Sequence, residues 1–343
     1  MNRTLARGIP PVIQGGENAV AVSVRDLSVD FATQHGWQRM VNQVSFDIAP
    51  GKILGIVGES GSGKSVTSLA MMRLLPPGTS RISGTINVGG TDIGALNQRD
   101  LADIRGDRIA MIFQEPMTSL NPAFTIGEQI SEALRRHRRL GRRAAWARAV
   151  ELLSEVGIAN AAARARRYPH EFSGGMRQRA MIAMAISCDP QLLIADEATT
   201  ALDVTIQAQI LDLLRSMCES HGLAMMFITH NMGVVADICD DVAVMYAGEI
   251  VEHASVFEIF AAPRHPYTEG LLRAMPSLRS THDLISIPGS PPAPWLMPEG
   301  CRFEPRCPYA VDECATTKPN IVRADDRDTR CLRSAELRLG KTK

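Results

Sequence analysis

The stretch "GESGSGKS", Gly58 to Ser65, directly follows the apolar run "KILGIV" (Lys52 to Val57) and precedes the helix-forming run "VTSLAMMRLL". An apolar strand, a glycine turn of the form G-x-x-x-x-G-K-[ST] and then a helix is the context in which that turn holds a phosphate chain. Gly58, Glu59, Ser60, Gly61, Ser62 and Gly63 supply backbone N–H groups that wrap the phosphates, and the start of the next helix adds positive potential. Lys64 is placed to reach the β- and γ-phosphates, and the Ser65 hydroxyl to ligate Mg²⁺. The stretch therefore points to a nucleotide with Mg²⁺ as its bound group.

Outward from this turn, continuous apolar runs recur: "LLIAD" from Leu192, "AMMFIT" from Ala224 and "VAVMY" from Val242. Such runs suit strands buried on both faces of a mostly parallel sheet. Helical stretches alternate with them, as in Thr205 to Met217, where Ile206, Ile210, Leu213, Leu214 and Met217 share one side. The alternation predicts a doubly wound α/β layer. "VSVRDLSVDF", starting at Val22, instead alternates like a half-buried strand. A segment rich in Arg and Ala, from about 115 to 174, reads as a helical insert, helical throughout up to Pro169. Beyond Arg264 the chain turns proline-rich. The expected division is a flexible leader (1–20), a nucleotide-binding unit (21–264) and a tail (265–343).

The chain has 343 residues, 45% of them hydrophobic, with Lys+Arg and Asp+Glu both at 37. That balance gives no global basic bias toward nucleic acid. No run of about 18 apolar residues appears, so no membrane span is expected. The first residues carry Pro and Gly where a secretory signal needs its apolar stretch, which predicts a cytoplasmic protein. "LRRHRRLGRRAAWARA", from Leu134, is basic but sits in the helical insert. It reads as a solvated helix face, near anionic lipid headgroups, rather than a nucleic-acid site.

A Mg²⁺ site beside a phosphate turn needs a carboxylate at a neighbouring strand end. Asp196, closing "LLIADE", fills that role, and Glu197 after it is placed to polarise water for attack on the γ-phosphate. His230, closing "FITHN", can donate to the γ-phosphate and orient the water. Gln114, closing "IAMIFQ", can touch Mg²⁺ or water. Taken singly these are a strand-end charge pair, a structural histidine and a surface amide; their shared position at strand ends supports the sharper reading.

A second glycine turn stands in "EFSGGMRQR", Glu171 to Arg179. In one reading Ser173 caps a helix while Gly174 and Gly175 allow the turn. In the other, the turn is an anion site for the γ-phosphate of a nucleotide held by another subunit. Here the sequence resembles the ATP-binding subunits of ABC transporters. The matching elements are Gly58–Ser65 (Walker A), Gln114 (Q-loop), Phe172 to Gln178 (signature) and Leu192 to Glu197 (Walker B and its glutamate). "ALD" ending at Asp203 matches the D-loop and His230 the switch histidine. The resemblance implies a P-loop NTPase (RecA-like) core with an antiparallel β subdomain, a helical insert and a small loop-rich C-terminal domain. It also implies head-to-tail pairing, with each signature completing its partner's ATP site and Asp203 at the seam. Phe172 stands where Leu is usual and Ala198 where Pro is common. Phe31 and Trp37 are both candidates to stack on adenine.

"QEPMTSLNP", "HPYTEGLLRAMPS", "IPGSPPAP" and "GCRFEPRCPYAVDEC" resemble the oligopeptide/dipeptide importer branch. That branch implies two membrane permease subunits, a second ATPase, commonly a distinct homologue, and a solute-binding protein, at the cytoplasmic face of a bacterial inner membrane. Peptides are the expected cargo, with nickel or glutathione as alternatives. Seven cysteines include four late ones, Cys301, Cys307, Cys314 and Cys331, with no C-x-x-C knuckle of the zinc type. Four separately presented thiolates are compatible with an iron–sulfur cubane, and the resemblance favours a 4Fe–4S cluster with a structural role; zinc and unligated thiols are the alternatives. The rival functions are a non-transport ABC ATPase on DNA or ribosomes and a silent partner that only binds ATP. One cassette without coiled-coil or zinc-finger insertions speaks against the first, and Glu197 with His230 against the second.

Overall fold

In the computed structural model, residues 20–113, 119–199, 202–275 and 286–340 are described. Twelve strands lie among them: β1 (Val22–Thr33), β2 (Gly36–Ile48), β3 (Ile53–Val57), β4 (Ser80–Val88), β5 (Thr91–Asp92), β6 (Ile109–Ile112), β7 (Leu192–Asp196), β8 (Ala224–Thr229), β9 (Asp241–Tyr246), β10 (Glu249–Ser255), β11 (Val322–Ala324) and β12 (Arg327–Thr329). They form a four-stranded antiparallel sheet, β2-β1-β4-β5, and an eight-stranded sheet, β11-β12-β10-β9-β3-β8-β7-β6.

The centre of the larger sheet, β9 through β6, is parallel. Every residue of β3, β7 and β8 is buried, which is why these strands read as unbroken apolar runs. Their side chains alternate between two cores. Ile53 and Val57 belong to the core that also takes in the helical insert, on the face of β3 that meets Val235 and Cys239, while Leu54 and Ile56 belong to the core under the antiparallel sheet. Parallel pairing brings all carboxyl ends to one edge. Val57 lies opposite Thr229, and Asp196 opposite Ile228, so Gly58, Glu197 and His230 emerge side by side at the edge where open α/β sheets bind ligands.

The insert departs from the expected continuous helix. Its main helices are Ile126–His137 and Arg142–Glu155, and residues 120–125 are non-helical. Pro122 and the Asn121 side chain, which accepts from the Ala123 N–H at 3.0 Å, favour a turn there. Helix Ile126–His137 then starts at a capping box between Thr125 and Glu128.

The C-terminal segment is built onto the core. β12 pairs with β10 through Glu252 and Thr329. The Glu252 carboxylate, fully buried, accepts from the backbone N–H groups of Arg264 (2.7 Å) and His265 (2.9 Å) and from the Arg327 guanidinium (3.0 Å). Tyr267 and Phe303 pack with Tyr246 at ring separations of 4.6 to 5.4 Å. Packing is therefore continuous across residue 264.

Candidate nucleotide site

The phosphate turn is shaped by its surroundings. Gly58 has φ +154°, and a Cβ there would stand 2.1 Å from the Met245 carbonyl oxygen. Gly63 has φ +103°, with the Met245 methyl 2.8 Å from a Cβ. A side chain is excluded at Gly58 by the backbone contact and strained at Gly63 by the positive φ. Lys64 Nζ donates to the carbonyls of Gly58 (2.7 Å) and Glu59 (2.9 Å), and Gly248 N–H donates to the Ser62 carbonyl at 2.9 Å. Burial pushes the Lys64 ammonium below its usual value, against the pull of Glu197, Asp196 and Glu59. A triphosphate would offer that cation the oxygens it now finds on its own loop.

Ser65 Oγ and Ser68 Oγ each lie 3.3 Å from a different oxygen of Asp196. Burial raises the Asp196 pKa, against the opposing pull of the Ser65 and Ser68 hydroxyls and the Lys64 charge. A hydroxyl and a carboxylate side by side are oxygen donors of the kind Mg²⁺ takes. Ser68 is an addition that only the fold reveals, one helical turn beyond Ser65.

Glu197 follows β7 with φ +48°, a left-handed conformation that non-glycine residues adopt at a cost. Its N–H is fixed on the Ile228 carbonyl at 3.0 Å, and Oε1 lies 3.1 Å from His230 Nδ1. The Glu–His contact brings a carboxylate and an imidazole together at the sheet edge beside Asp196. Gln114, the D-loop Ala201 and residues 1–19 lie outside the described residues.

Ser173 caps helix Gly174–Ile186, its hydroxyl accepting from the Met176 N–H at 3.4 Å. Ser173 and Gly174 are exposed. A Cβ on Gly175 would meet Ile206 at 2.9 Å, whereas a Cβ on Gly174 would meet nothing. Asp203 caps helix Val204–His221 by accepting from Ile206 N–H at 2.9 Å, and the next residue, Val204, is 83% exposed. Of the aromatic candidates, Phe31 is half-buried against the antiparallel-sheet core. The Trp37 ring lies 3.7 Å from the Arg81 guanidinium carbon, a cation–π contact that occupies one face.

Cys301, Cys307, Cys314 and Cys331 line one small cavity with Phe303 and Arg333. All four are free thiols. Burial pushes Cys301 and Cys307 up to about 11 each, and raises Cys331 as well. The donor set is right for a soft metal or cluster. The expected ligand shell is not drawn together, however: among the described residues no group of three or more His, Cys, Asp or Glu is arranged to hold a metal ion.

Beside the helical insert, an apolar groove is lined by Met111, Phe113, Ala133, Met181, Met184 and Ala185. Among the described residues no helix is long and apolar enough to cross a membrane.

The family described as ABC transporter matches residues 41–200, and the oligopeptide/dipeptide transporter C-terminal region matches residues 251–314. A relative from Brucella melitensis, carrying the provisional name peptide import ATP-binding protein, is 50% identical over 330 residues, covering 92% of this chain and 98% of its own. A Brucella abortus relative of the same provisional name is 52% identical over the same coverage. The dimeric ATP-binding cassette MJ0796, solved in a post-hydrolysis state with ADP and phosphate, superimposes with a TM-score of 0.61 at 25% identity, over 68% of this chain and 98% of that one. The cassette cbiO1 of Clostridium perfringens gives a TM-score of 0.60 at 24% identity, over 71% of this chain and 92% of that one.

Proposed function

The chain belongs to the ABC transporter ATP-binding family, in its oligopeptide/dipeptide branch, and from that premise we propose that it hydrolyses ATP to energise import of di- or oligopeptides through membrane permease subunits. The observation that carries the chemistry is the Glu197–His230 contact of 3.1 Å beside Asp196, Ser65 and Lys64 at one sheet edge. Glu197 would polarise the attacking water and His230 orient it, Lys64 would take the β/γ-phosphates, and Ser65 and Asp196, with Gln114, would hold Mg²⁺. Glu197→Gln in the assembled transporter is the test. ATP binding should persist while turnover falls about 10²- to 10³-fold; unchanged turnover would remove Glu197 from the chemistry.

The Ser173–Gly174 helix tip completes the site of a second ATPase subunit, most simply a distinct homologue. Its exposure and the unconstrained Gly174 support this, as does the dimeric state of the MJ0796 cassette. Asp203 and the exposed Val204 lie on the same seam. The apolar groove at Phe113 and Met184 is the contact for a permease subunit, which fits a peripheral protein on the cytoplasmic face of the inner membrane. A solute-binding protein delivers the peptide on the far side. Division of labour follows the chain: residues 21–264 carry the ATP chemistry and 265–343 form an accessory tail.

The four tail thiols hold a 4Fe–4S cluster in this reading, supported by donor chemistry and a shared cavity. Cys301, Cys307, Cys314 and Cys331 would be its ligands, and the cluster would supply cross-linking to a loop-rich segment. Protein purified without oxygen should be brown, with visible absorbance. A colourless sample with stoichiometric zinc would reject the cluster.

A further inference from the structure

Besides the turn's own Ser62 N–H, which donates to the Glu59 carbonyl at 3.2 Å, three contacts hold the phosphate turn at Glu59, and two of them come from the C-terminal tail. The Glu59 N–H donates to the Tyr267 hydroxyl at 2.8 Å. Arg306 forks the Glu59 carboxylate, with Nη1 to Oε2 at 2.6 Å and Nη2 to Oε1 at 3.0 Å. The third contact is Lys64 Nζ on the Glu59 carbonyl at 2.9 Å. Arg306 itself has little freedom. Its side chain is 5% exposed, its Nε donates to the Pro288 carbonyl at 2.8 Å, and its Nη1 lies 3.4 Å from the Tyr246 hydroxyl.

A carboxylate inside a triphosphate-binding turn carries the same sign as its ligand and competes for Lys64. The Glu59 side chain is 28% exposed, so its field reaches the space beside the turn. A bidentate arginine neutralises a carboxylate and fixes its direction as well as its charge. We propose that Arg306 is a positioning residue of the ATP site: from the tail, it turns the Glu59 carboxylate away from the triphosphate and cancels its charge. Tyr267 fixes the backbone of the same residue. The tail is thereby part of the nucleotide pocket, although it supplies no group to the chemistry.

A simple anchoring role would also make Arg306 important, so the test must separate the two. MgATP affinity is measured by titrating a fluorescent ATP analogue into the full-length chain, with thermal melting of each variant as the folding control. Arg306→Ala should weaken MgATP binding about tenfold, because it leaves a bare carboxylate beside the phosphates. Glu59→Gln alone supplies the reference affinity for a turn that lacks the carboxylate. In the double variant, removal of the offending carboxylate should bring affinity to within about threefold of that Glu59→Gln reference. Arg306→Lys, which keeps charge but not the fork, should fall between. If Arg306→Ala does not fold, Arg306→Gln takes its place in the same cycle. A folded charge-removal variant with undiminished affinity would overturn the proposal, and so would a double variant as weak as the Arg306 single. Failure of the parent chain to bind MgATP would instead refute the nucleotide site on which the inference rests.

Discussion

The two glycine turns look alike in the sequence and are held in opposite ways. The turn at Gly58–Ser65 is enforced from within. Its first glycine has no room for a Cβ, its lysine bonds its own carbonyls, and Gly248, Tyr267 and Arg306 grip it from outside the motif. The turn at Ser173–Gly175 has the Ser173 cap and one steric constraint, Gly175 against Ile206, and then an exposed glycine beside which a Cβ would meet nothing. The open space at Gly174 leaves room for the close backbone approach of an anion that the proposed function assigns to this turn.

The comparison breaks most sharply at Gly58. Gly58→Ala places a Cβ against a backbone oxygen at positive φ, and should cost about 3 kcal/mol or more of stability together with nucleotide binding. Thermal melting with and without MgATP checks both. Next is Gly174→Asp. A carboxylate in the first turn of a helix is harmless or stabilising, so the melting temperature should hold. Turnover of the assembled transporter should nonetheless fall about 100-fold, some 2.7 kcal/mol, by repulsion of the partner's phosphate. Full activity would reduce the turn to a helix cap.

Acid should separate the turns less strongly. Burial holds the His265 imidazole neutral, down to about 3, and its Nδ1 accepts from the Tyr267 N–H at 3.1 Å. The unfolded chain takes up this proton near pH 6.5 and the folded chain does not. Stability from this group is therefore complete above pH 6.5 and falls by at most about 1.4 kcal/mol per unit toward pH 3. Denaturant melts at stepped pH should show that slope, and His265→Gln should flatten it. Smallest is Asp203→Ala, which removes a helix cap worth about 1 kcal/mol. If it costs turnover well beyond that loss, Asp203 also acts at the seam.

The sequence made the sheet edge readable because parallel strands end where their apolar runs end, and Asp196, Glu197 and His230 directly follow such runs. Lys64 and Ser65 were readable from local spacing alone. Ser68 was not, since a serine inside a helix carries no mark of what faces it. Glu59 occupies a position that the motif leaves free, and Arg306 lies 247 residues further on; no local pattern joins them. The tail's proline-rich texture suggested a separate unit, yet its connections run through Glu252, Tyr267 and Arg306, and pairings of that range are set by tertiary packing. The turn at Asn121–Pro122 was visible as residues, but the Arg- and Ala-rich composition around it favoured helix.

Opposite charges drawn from the beginning and end of the polypeptide also restrict how such a gene can be recombined. A hybrid that joins this Glu59-bearing loop to a cassette ending near residue 264 would inherit an anion with no counterion. The reciprocal hybrid would bury an arginine opposite a neutral side chain. The loop and the tail should therefore pass between descendants together, or change together.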